Sequence, residues 1–563
     1  MRLTGRGGTL VAGLAGLALG LLALGPGIAP GYLLSYDMVF VPDPSFTATT
    51  FGLTGTLPRA VPSDAVVALL AQVLPADLVQ KLVLLLIFAL ACSGAAALLA
   101  ERPFVARLVA GVCFCWNPFV GERLIIGQWA LLLGYAGLPW VVCALTRPGP
   151  VSWRSAGRLA VALLPAAIGG FAPMCLSALV VLPGAALAAG QSGRQRLGRV
   201  MAAAAVLGAL SMPWLIPSVT RTVHTSGSGV AAFAARADTP FGSFGSLLML
   251  GGTWNSQTVP YGYGGAESWL WLAVAGSALA GFVLLGRGRW PGLGVGAACG
   301  LVIASADITG VGADILRGLI AAWPGFAVFR DGQQFVGPLA LAEATGLGLA
   351  AAWLLGLHWP ERWRDIRWLA AVLVLVAPVV LLPGLAWGAA GRLRSVQYPA
   401  DWLAARRLID KDPAAGRVLL LPWAAYRRFG WNHGEAVLDP WPRLVNRDVI
   451  WNDAVTVGRI TVPAESPAAR ELTGPITTSA GPLTGVLLAA GVRYVIVDAG
   501  LGSGQAAAAG QAGRYPYLSR LPGCRVVLAG PGLVVYQLPS GGRSASNEGY
   551  RHVKSSNELD QHR

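Results

Sequence analysis

Charged residues are scarce in this sequence. Only 12% of its 563 residues are Asp, Glu, Lys or Arg, which is about half of the roughly 25% that soluble globular chains carry. Hydrophobic residues make up 55% of the chain, and they occur in long blocks that are almost free of charge. This pattern excludes an ordinary soluble domain for most of the chain.

Signatures of the common soluble catalytic sites are lacking as well. No P-loop, HExxH zinc motif or GxSxG nucleophile motif stands in a suitable context. Six of the seven cysteines lie in or beside apolar blocks, where a thiol acts as a small apolar side chain. Their positions predict neither a disulfide framework nor a zinc site; they are 92, 113, 115, 143, 175, 299 and 524.

The net charge is positive, +15 at pH 7. No basic stripe alternates with stacking aromatic side chains, so nucleic acid is a poor candidate for a partner. A basic and mostly apolar chain is better suited to anionic membrane lipid or to phosphate groups. The sequence therefore predicts membrane lipid, and no nucleic acid, among the partners.

The apolar blocks predict about eleven transmembrane helices, because each is near the length that crosses a bilayer and too long for a barrel strand. The predicted spans are residues 9–33, 80–100, 105–120, 127–146, 157–170, 174–190, 198–219, 268–286, 291–306, 335–357 and 366–390. The pair at 157–190 is interrupted by Gly169, Gly170 and Pro173, so it predicts either one kinked helix or two short ones. The first block also has features of a signal peptide, but its length favours an uncleaved span.

Arginines gather in alternate loops and span ends. With about eleven spans they all fall on one side of the membrane, which is the cytoplasmic side by the positive-inside rule. They are Arg2, Arg6, Arg102, Arg107, Arg147, Arg154, Arg158, Arg194, Arg196, Arg199, Arg287, Arg289, Arg362, Arg364 and Arg367. The sequence thus predicts a multi-pass plasma-membrane protein with a cytoplasmic N-terminus and an extracytoplasmic C-terminal part.

The composition changes after residue 390. Short runs such as RVLLLPW, VRYVIVD and GLVVYQL predict strands, and YPADWLAARRLID predicts an amphipathic helix. Strands that alternate with helices are typical of an α/β domain. The predicted organisation is therefore a transmembrane domain over residues 1–390, a small α/β domain over 391–540 and a disordered polar tail over 541–563.

Two acidic residues follow the first span on the predicted outer side. Asp37 lies between Tyr36 and Met38, and a carboxylate at a membrane surface can act as a general base or hold a divalent cation. The ordinary explanation is a solvated acid at a helix end. Asp43 lies between two prolines in VPDPS, where a turn residue is the simpler interpretation.

Glu122 and Arg123 are predicted to lie in a tight outer loop between two spans. Acidic residues near membrane depth tend to be paired or functional, so Glu122 is a second candidate for acid–base chemistry. The alternative is a local ion pair between Glu122 and Arg123, which contributes little at an exposed site.

The segment FRDGQQF, residues 329–335, is a polar cluster that leads into a predicted span. The guanidinium of Arg330 can bind a phosphate group through two parallel hydrogen bonds. Gln334 stands close by, and Arg123 is a further candidate for the same phosphate. The alternative is that these residues anchor the chain at the membrane border.

Trp431, His433 and Trp451 lie in the predicted outer domain beside Asn and Asp residues. Aromatic rings next to hydrogen-bonding side chains are suited to stacking on a sugar and binding its hydroxyl groups. These three residues are the candidate acceptor-binding set, and the alternative is a structural role in the core of the domain.

Together these features resemble the GT-C superfamily of integral membrane glycosyltransferases, most of all the actinobacterial α-(1→3)-arabinofuranosyltransferase type. The likeness lies in the architecture, in the acid of the first outer loop, in FRDGQQF, and in YPADWLAARRLI, GRVLLLPW, RFGWNHGE and GVRYVIVD in that order. Composition agrees, because Arg greatly outnumbers Lys, as in a high-GC actinobacterial genome. Unlike its longer relatives, this sequence is expected to have no large carbohydrate-binding modules after the first outer domain.

The resemblance implies an enzyme of cell-wall biogenesis that transfers arabinofuranose or mannose from a polyprenyl-phosphate donor to an envelope glycan or glycolipid. It implies that Asp37 is the catalytic base or a metal-linked carboxylate, with Mg or Mn as the possible cofactor. It places Glu122 near the cavity that contains Asp37, and it places Arg330 at the donor phosphate. Two other functions stay open from the residues alone, namely a flippase of a lipid-linked precursor and a non-catalytic envelope assembly protein.

Overall fold

The structure is a computed structural model that describes residues 5–539 apart from 55–56, 148, 189, 221–224, 358–363, 479–482, 501–512 and 514. The chain divides into two compact units. The first unit comprises Met1–Gln397, Glu435–Leu444 and Ala454–Ser466, and the second comprises Tyr398–Gly434, Val445–Asp453 and Pro467–Arg563. Three segments of the predicted C-terminal domain, residues 391–397, 435–444 and 454–466, therefore fold with the first unit. The predicted disordered tail lies outside the described residues.

The first unit is mostly helical. Its helices are α1 Gly5–Leu24, α2 Ser63–Leu70, α3 Ala76–Leu98, α4 Phe104–Cys115, α5 Pro118–Ile125, α6 Trp129–Thr146, α7 Trp153–Gly169, α8 Phe171–Ala186, α9 Gly193–Thr220, α10 Gly229–Ala232, α11 Gly242–Leu248, α12 Ser268–Gly281, α13 Pro291–Ser305, α14 Gly310–Ala322, α15 Gly337–Gly356 and α16 Arg364–Leu381. A 3-10 helix at Pro324–Arg330 and another at Gly332–Val336 connect α14 to α15.

In the described part of the chain, eight helical segments are long and apolar enough to cross a membrane. They are Gly5–Ile28, Ala76–Leu98, Phe104–Ile125, Trp129–Thr146, Gly193–Thr220, Ser268–Gly286, Pro291–Ile308 and Gly332–Gly356. The pair Ile366–Leu381 and Pro383–Gly391 is bent by 55° and is a ninth candidate. These segments make the chain a multi-pass membrane protein. The count of about eleven spans stays a prediction.

The two remaining predicted spans correspond to α7 and α8, which have 17 and 16 residues. Gly170 separates them with a φ of 91°, a conformation that residues with a Cβ rarely adopt. The choice between one kinked helix and two short ones is thereby resolved in favour of two helices.

Close packing of spans depends on small residues. A Cβ added at Gly281 of α12 would overlap the backbone of Gly346 in α15, and a Cβ at Gly346 would overlap the backbone of Ala278. Glycine lets the two helix backbones touch, which is a common way to associate helices in lipid.

Short strands and helices from distant parts of the chain complete the first unit. The strand β1 Tyr32–Leu33 pairs antiparallel with β2 Ser395–Val396. The unit also contains β5 Ala436–Leu438, helix α18 Trp441–Leu444, and the antiparallel hairpin of β7 Val455–Val457 with β8 Ile460–Val462. Val462 packs with Ala232 and Phe233 in a small apolar cluster, which fixes the hairpin against the helix α10.

The second unit is an α/β fold. Its strands are β3 Arg417–Leu421, β4 Tyr426–Arg428, β6 Val449–Ile450, β9 Val492–Asp498, β10 Arg525–Ala529 and β11 Leu533–Gln537, and its helices are α17 Ala400–Lys411, α19 Pro467–Thr478, α20 Leu483–Ala489 and α21 Tyr517–Arg520. A mixed five-stranded sheet has the order β10-β11-β9-β3-β6. Its apolar side chains form one core with those of α19 and α20. The strands β3, β9, β10 and β11 lie in apolar runs of the sequence, whereas β4 and β6 were not predicted.

Candidate functional site

Asp37 lies in a tight turn that is held against the end of α5. The backbone N–H of Met38 donates to the carbonyl of Ser35 at 2.8 Å, and that of Asp37 donates to the carbonyl of Ile126 at 3.0 Å. The Ser35 hydroxyl donates to the carbonyl of Ile125 at 2.6 Å. Main-chain and side-chain hydrogen bonds thus fix the backbone of Asp37, while its side chain is half-buried.

The close contact between this turn and the α5–α6 connection depends on Gly127. Gly127 has a φ of +82°, and a Cβ at this position would overlap the backbone of Ser35 and Met38. No residue with a side chain fits there unless the Asp37 turn moves. Gly127 is therefore a positioning residue for Asp37.

We expect Gly127→Ala to destabilise the protein, by at least the roughly 1–2 kcal/mol that a left-handed conformation costs a residue with a Cβ. The melting temperature of the detergent-solubilised protein measures this effect. Gly208→Ala is the matched control, because Gly208 is helical and a Cβ there meets nothing within 4 Å; alanine should stabilise that helix slightly. Equal melting temperatures for Gly127→Ala and wild type would contradict the role given to Gly127.

Glu122 and Arg123 lie in the short helix α5 and not in the tight outer loop that the sequence predicted. The side chain of Asn117 caps this helix by accepting a hydrogen bond from the backbone N–H of Val120 at 3.0 Å, and a proline at the first helical position suits such a start. Both residues are buried, with exposed fractions of 1% for Glu122 and 0% for Arg123. The sequence prediction of a loop was wrong, because residues 118–125 form a helix and all of them are buried.

Arg123 forms its ion pair over a long sequence distance. Its Nη1 lies 3.3 Å from both carboxylate oxygens of Asp331 and 2.9 Å from the side-chain oxygen of Gln128. The Gln128 amide also donates to Asp331 at 3.2 Å. The Nε and Nη2 atoms of Arg123 have no hydrogen-bond partner among the described residues. Buried guanidinium donors are usually satisfied, so these two atoms are candidates for binding an anion.

Glu122 faces a second acid, Asp238, which the sequence analysis did not single out. The two carboxyl groups lie close enough for their charges to interact. Burial raises the pKa of Asp238, and backbone N–H groups of Gly252 and Thr253 only partly offset this shift. The pair can therefore hold a single proton between two carboxylates. No periodicity in the long loop around Asp238 could have identified this partner.

Arg330 forms part of a second charged cluster. Its Nη2 lies 3.4 Å from Glu465, and its guanidinium stacks over the ring of Phe233 at 5.0 Å. Arg59 binds the same carboxylate through two contacts of 2.6 and 2.7 Å. Burial lowers the pKa of Arg330 to about 10; Glu465 is buried too, but the two guanidiniums hold its pKa below the usual value. The Nη1 of Arg330 has no partner among the described residues.

The glutamines of FRDGQQF hold neighbouring backbone. The Gln334 amide donates to the carbonyl of Val328 at 2.8 Å, and the Gln333 amide donates to the carbonyl of Phe233 at 2.7 Å. Gln334 is thus engaged in fixing the loop that carries Arg330. Its predicted role at the donor phosphate stays a prediction.

The predicted acceptor-binding residues belong to the second unit. The ring of Trp431 stacks on Phe429 at 5.2 Å and contacts Trp402 at 5.3 Å, so much of its face is used in an aromatic cluster. His433 is exposed and has a φ of 53°, and Trp451 is half-buried. The three residues stay candidates on this unit, whereas Asp37, Glu122, Arg123, Arg330 and Gln334 all belong to the first unit.

A metal site is not preassembled around Asp37. Among the described residues, no group of three or more His, Cys, Asp or Glu side chains is arranged to hold an ion. A magnesium ion often uses only one or two carboxylates together with substrate phosphates, so the predicted role of Asp37 toward Mg or Mn stays a prediction for the substrate-bound protein.

Comparison with known proteins identifies the fold. No protein-family model matches the chain, and no curated protein sequence matches it significantly. Among solved structures, arabinofuranosyltransferase AftD from mycobacteria aligns with a TM-score of 0.59 and 16% identity, over 96% of this chain and 40% of that protein. A mutant of the same protein aligns with a TM-score of 0.59 and 17% identity, over 96% of this chain and 42% of that one.

The chain therefore spans less than half the length of these neighbours. At this low identity the comparison concerns the fold alone. The resemblance stated from the sequence is confirmed at that level: over nearly its whole length, this chain shares its fold with mycobacterial arabinofuranosyltransferase AftD.

Proposed function

We propose that this chain is a membrane glycosyltransferase. It transfers a sugar, arabinofuranose or mannose, from a polyprenyl-phosphate donor to an envelope glycan or glycolipid on the extracytoplasmic face of the plasma membrane. The observation that carries this proposal is the buried Arg123, whose Nε and Nη2 lack protein partners among the described residues. Arg123 belongs to the same short helix, α5, that holds the Asp37 turn, so an anion-binding group and a candidate base are linked by a few residues.

The shared fold supports the same proposal. The neighbour in this comparison is an arabinofuranosyltransferase, and a polyprenyl-phosphate sugar is an activated donor that resides in the membrane. Such a reaction requires a base for the acceptor hydroxyl, fixed positions for the two reactants, and cations for the leaving phosphate. Asp37 is proposed as the base, and Arg123 and Arg330 as the phosphate ligands.

The chemical step is a single displacement. Asp37 takes the proton of the acceptor hydroxyl, and the hydroxyl oxygen forms a bond to the anomeric carbon of the donor sugar. The bond between that carbon and the phosphate oxygen breaks, and polyprenyl phosphate leaves with the electron pair. The unpaired N–H groups of Arg123 and Arg330 then donate to the oxygens of the leaving phosphate.

Glu122 and Asp238 supply an acidic group beside Arg123. With one proton on the pair, the site around Arg123 and Asp331 carries less negative charge than it does with both carboxylates ionised. An anionic phosphate is therefore repelled less. In this proposal Glu122 assists the reaction through the charge of the site, and Asp238 positions the Glu122 side chain.

The test is glycosyl transfer by membranes that contain the full-length chain, with radiolabelled polyprenyl-phosphoryl arabinose and polyprenyl-phosphoryl mannose as separate donors. We expect label from one donor in a larger glycan, and none with membranes that lack the protein. Labelled lipid that crosses the bilayer without forming a glycosidic bond would identify a flippase. If neither lipid movement nor sugar transfer occurs with either donor, the result favours an assembly protein and contradicts the proposal. A parallel reaction with EDTA tests the predicted divalent cation.

A further inference from the structure

A buried carboxylate, Glu465, joins two arginines of the first unit that are far from it in sequence. Arg59 Nη2 lies 2.6 and 2.7 Å from the two oxygens of Glu465, and Arg330 Nη2 lies 3.4 Å from one of them. The side chains of Glu465 and Arg330 are 5% and 11% exposed, whereas that of Arg59 is 54% exposed. This Arg59–Glu465–Arg330 cluster is therefore buried at Arg330 and accessible at Arg59.

The charges of the cluster do not balance. Two guanidiniums share one carboxylate, and the charge of Arg59 acts on Arg330 at close range. The neighbouring Asp331 does not remove this excess, because its carboxylate is paired with Arg123 at 3.3 Å. Like charges repel each other more strongly where water is scarce, so the cluster attracts an anion.

Arg330 also has hydrogen-bonding capacity left. Its guanidinium lies over the ring of Phe233 at 5.0 Å, and its buried Nη1 has no hydrogen-bond partner among the described residues. A Cβ at Gly229 would lie 3.2 Å from this Nη1, so glycine leaves that side of the guanidinium uncrowded. Buried polar groups usually have a partner, and an oxygen of a phosphate ester is a strong acceptor for a guanidinium N–H.

The position of Arg330 favours a phosphate that is attached to a lipid. Arg330 precedes the apolar segment Gly332–Gly356, which is long enough to cross a membrane, by two positions. The helix α14 packs on the Arg330 segment through Leu316 and Ala327, and it exposes the apolar side chains of Val311 and Ile315. A cation at the end of a membrane span, beside an exposed apolar face, is suited to the headgroup of a lipid.

We infer that Arg59 is a further ligand of the lipid-linked phosphate, and that Glu465 is the counter-ion that both guanidiniums share before this phosphate binds. The phosphate accepts hydrogen bonds from Arg330 Nη1 and from Arg59, whose long and accessible side chain rotates away from Glu465. The inference rests on the proposed function, because it adds a residue to the donor site. The sequence analysis singled out neither Arg59 nor Glu465.

The experiment measures phosphate binding without sugar transfer. Calorimetry on the detergent-solubilised full-length protein gives Kd values for farnesyl phosphate, for farnesol, which is the same chain without the phosphate, and for inorganic phosphate. We expect farnesyl phosphate to bind wild type more tightly than either of the other two probes. Equal Kd values for farnesyl phosphate and farnesol would overturn the inference, and equal values for farnesyl phosphate and inorganic phosphate would overturn the assignment to a lipid.

Two variants should change the Kd of farnesyl phosphate in opposite directions. Arg59→Gln removes an accessible cation and should raise the Kd about threefold, as expected for an ion contact at a solvated position. Glu465→Gln removes the competing carboxylate and leaves the buried Arg330 without it, so the phosphate takes its place. The Kd should then fall about tenfold or more, the effect of gaining a hydrogen bond to a charged group.

Arg289→Gln is the matched control for Arg59→Gln. Its side chain is 48% exposed and pairs with Glu101 at 2.8 Å, it does not belong to the cluster, and its Kd should equal that of wild type. Arg59→Gln keeps the pair between Glu465 and Arg330, so the test remains usable if Glu465→Gln fails to fold.

The direction of the change decides the role of the cluster. A carboxylate that only maintains the fold would loosen the site when it is lost, so weaker binding in Glu465→Gln would overturn the inference, as would an unchanged Kd in Arg59→Gln. Kd values that follow the prediction in a protein that transfers no sugar would leave the cluster assignment in place and reject the proposed reaction.

Discussion

Asp37→Asn is expected to reduce sugar transfer by about 10²–10⁴-fold, the range that a positioned general base contributes. Asparagine keeps the size of the side chain and can still accept a hydrogen bond, but it cannot take up the proton of the acceptor hydroxyl. The backbone of Asp37 is held through its own N–H and through Ser35, so the substitution leaves the turn intact. The measurement is the initial rate with the donor that wild type uses, at equal amounts of protein.

Asp43→Asn is the control for this prediction. Both acids belong to the segment between α1 and α2, and Asp43 has a φ of 43°, as expected for a turn residue. Asp43→Asn should retain close to wild-type activity. Full activity in Asp37→Asn would remove Asp37 from the catalytic role and leave the class of enzyme to be decided by the donor experiment. Loss of activity in both variants would indicate that the segment, and not the single carboxylate, is required.

The features that could be predicted from the sequence are those set by local pattern. The length of an apolar run predicts a membrane helix, because the thickness of the bilayer sets the length that is needed to cross it. The strands β3, β9, β10 and β11 coincide with runs of Val, Leu and Ile. The two short helices α7 and α8 were left open by pattern alone, since Gly170 is compatible with a kink as well as with a break.

Other features depend on contacts between segments that are far apart in sequence. Arg123 and Asp331 are separated by 208 positions, and the Arg59–Glu465 pair by 406. No periodicity links such residues, so the ion pair that the sequence offered, as the alternative to a catalytic Glu122, was the local one between Glu122 and Arg123. The burial of α5 was missed for the same reason, because it results from packing of the helical body and not from the composition of eight residues. Asp238 gave no signal at all in a loop rich in Gly and Ser.

Arg123→Gln is expected to have the second largest effect, on both stability and donor binding. The substitution leaves the carboxylate of Asp331, whose side chain is 16% exposed, without its cation. Removing one partner from a buried ion pair costs about 3–5 kcal/mol. The variant should therefore melt at a clearly lower temperature in detergent, and it should bind the radiolabelled polyprenyl-phosphoryl sugar more weakly.

A double variant separates these two effects. Arg123→Gln combined with Asp331→Asn removes both charges, so the uncompensated carboxylate disappears and most of the stability should return. Donor binding should not return, because no guanidinium is left to meet the phosphate. Asp331→Asn alone keeps Arg123 and should bind the donor at least as well as wild type does, provided that it folds. If donor binding recovered together with stability in the double variant, Arg123 would be a structural residue, and the phosphate site would have to be built without it.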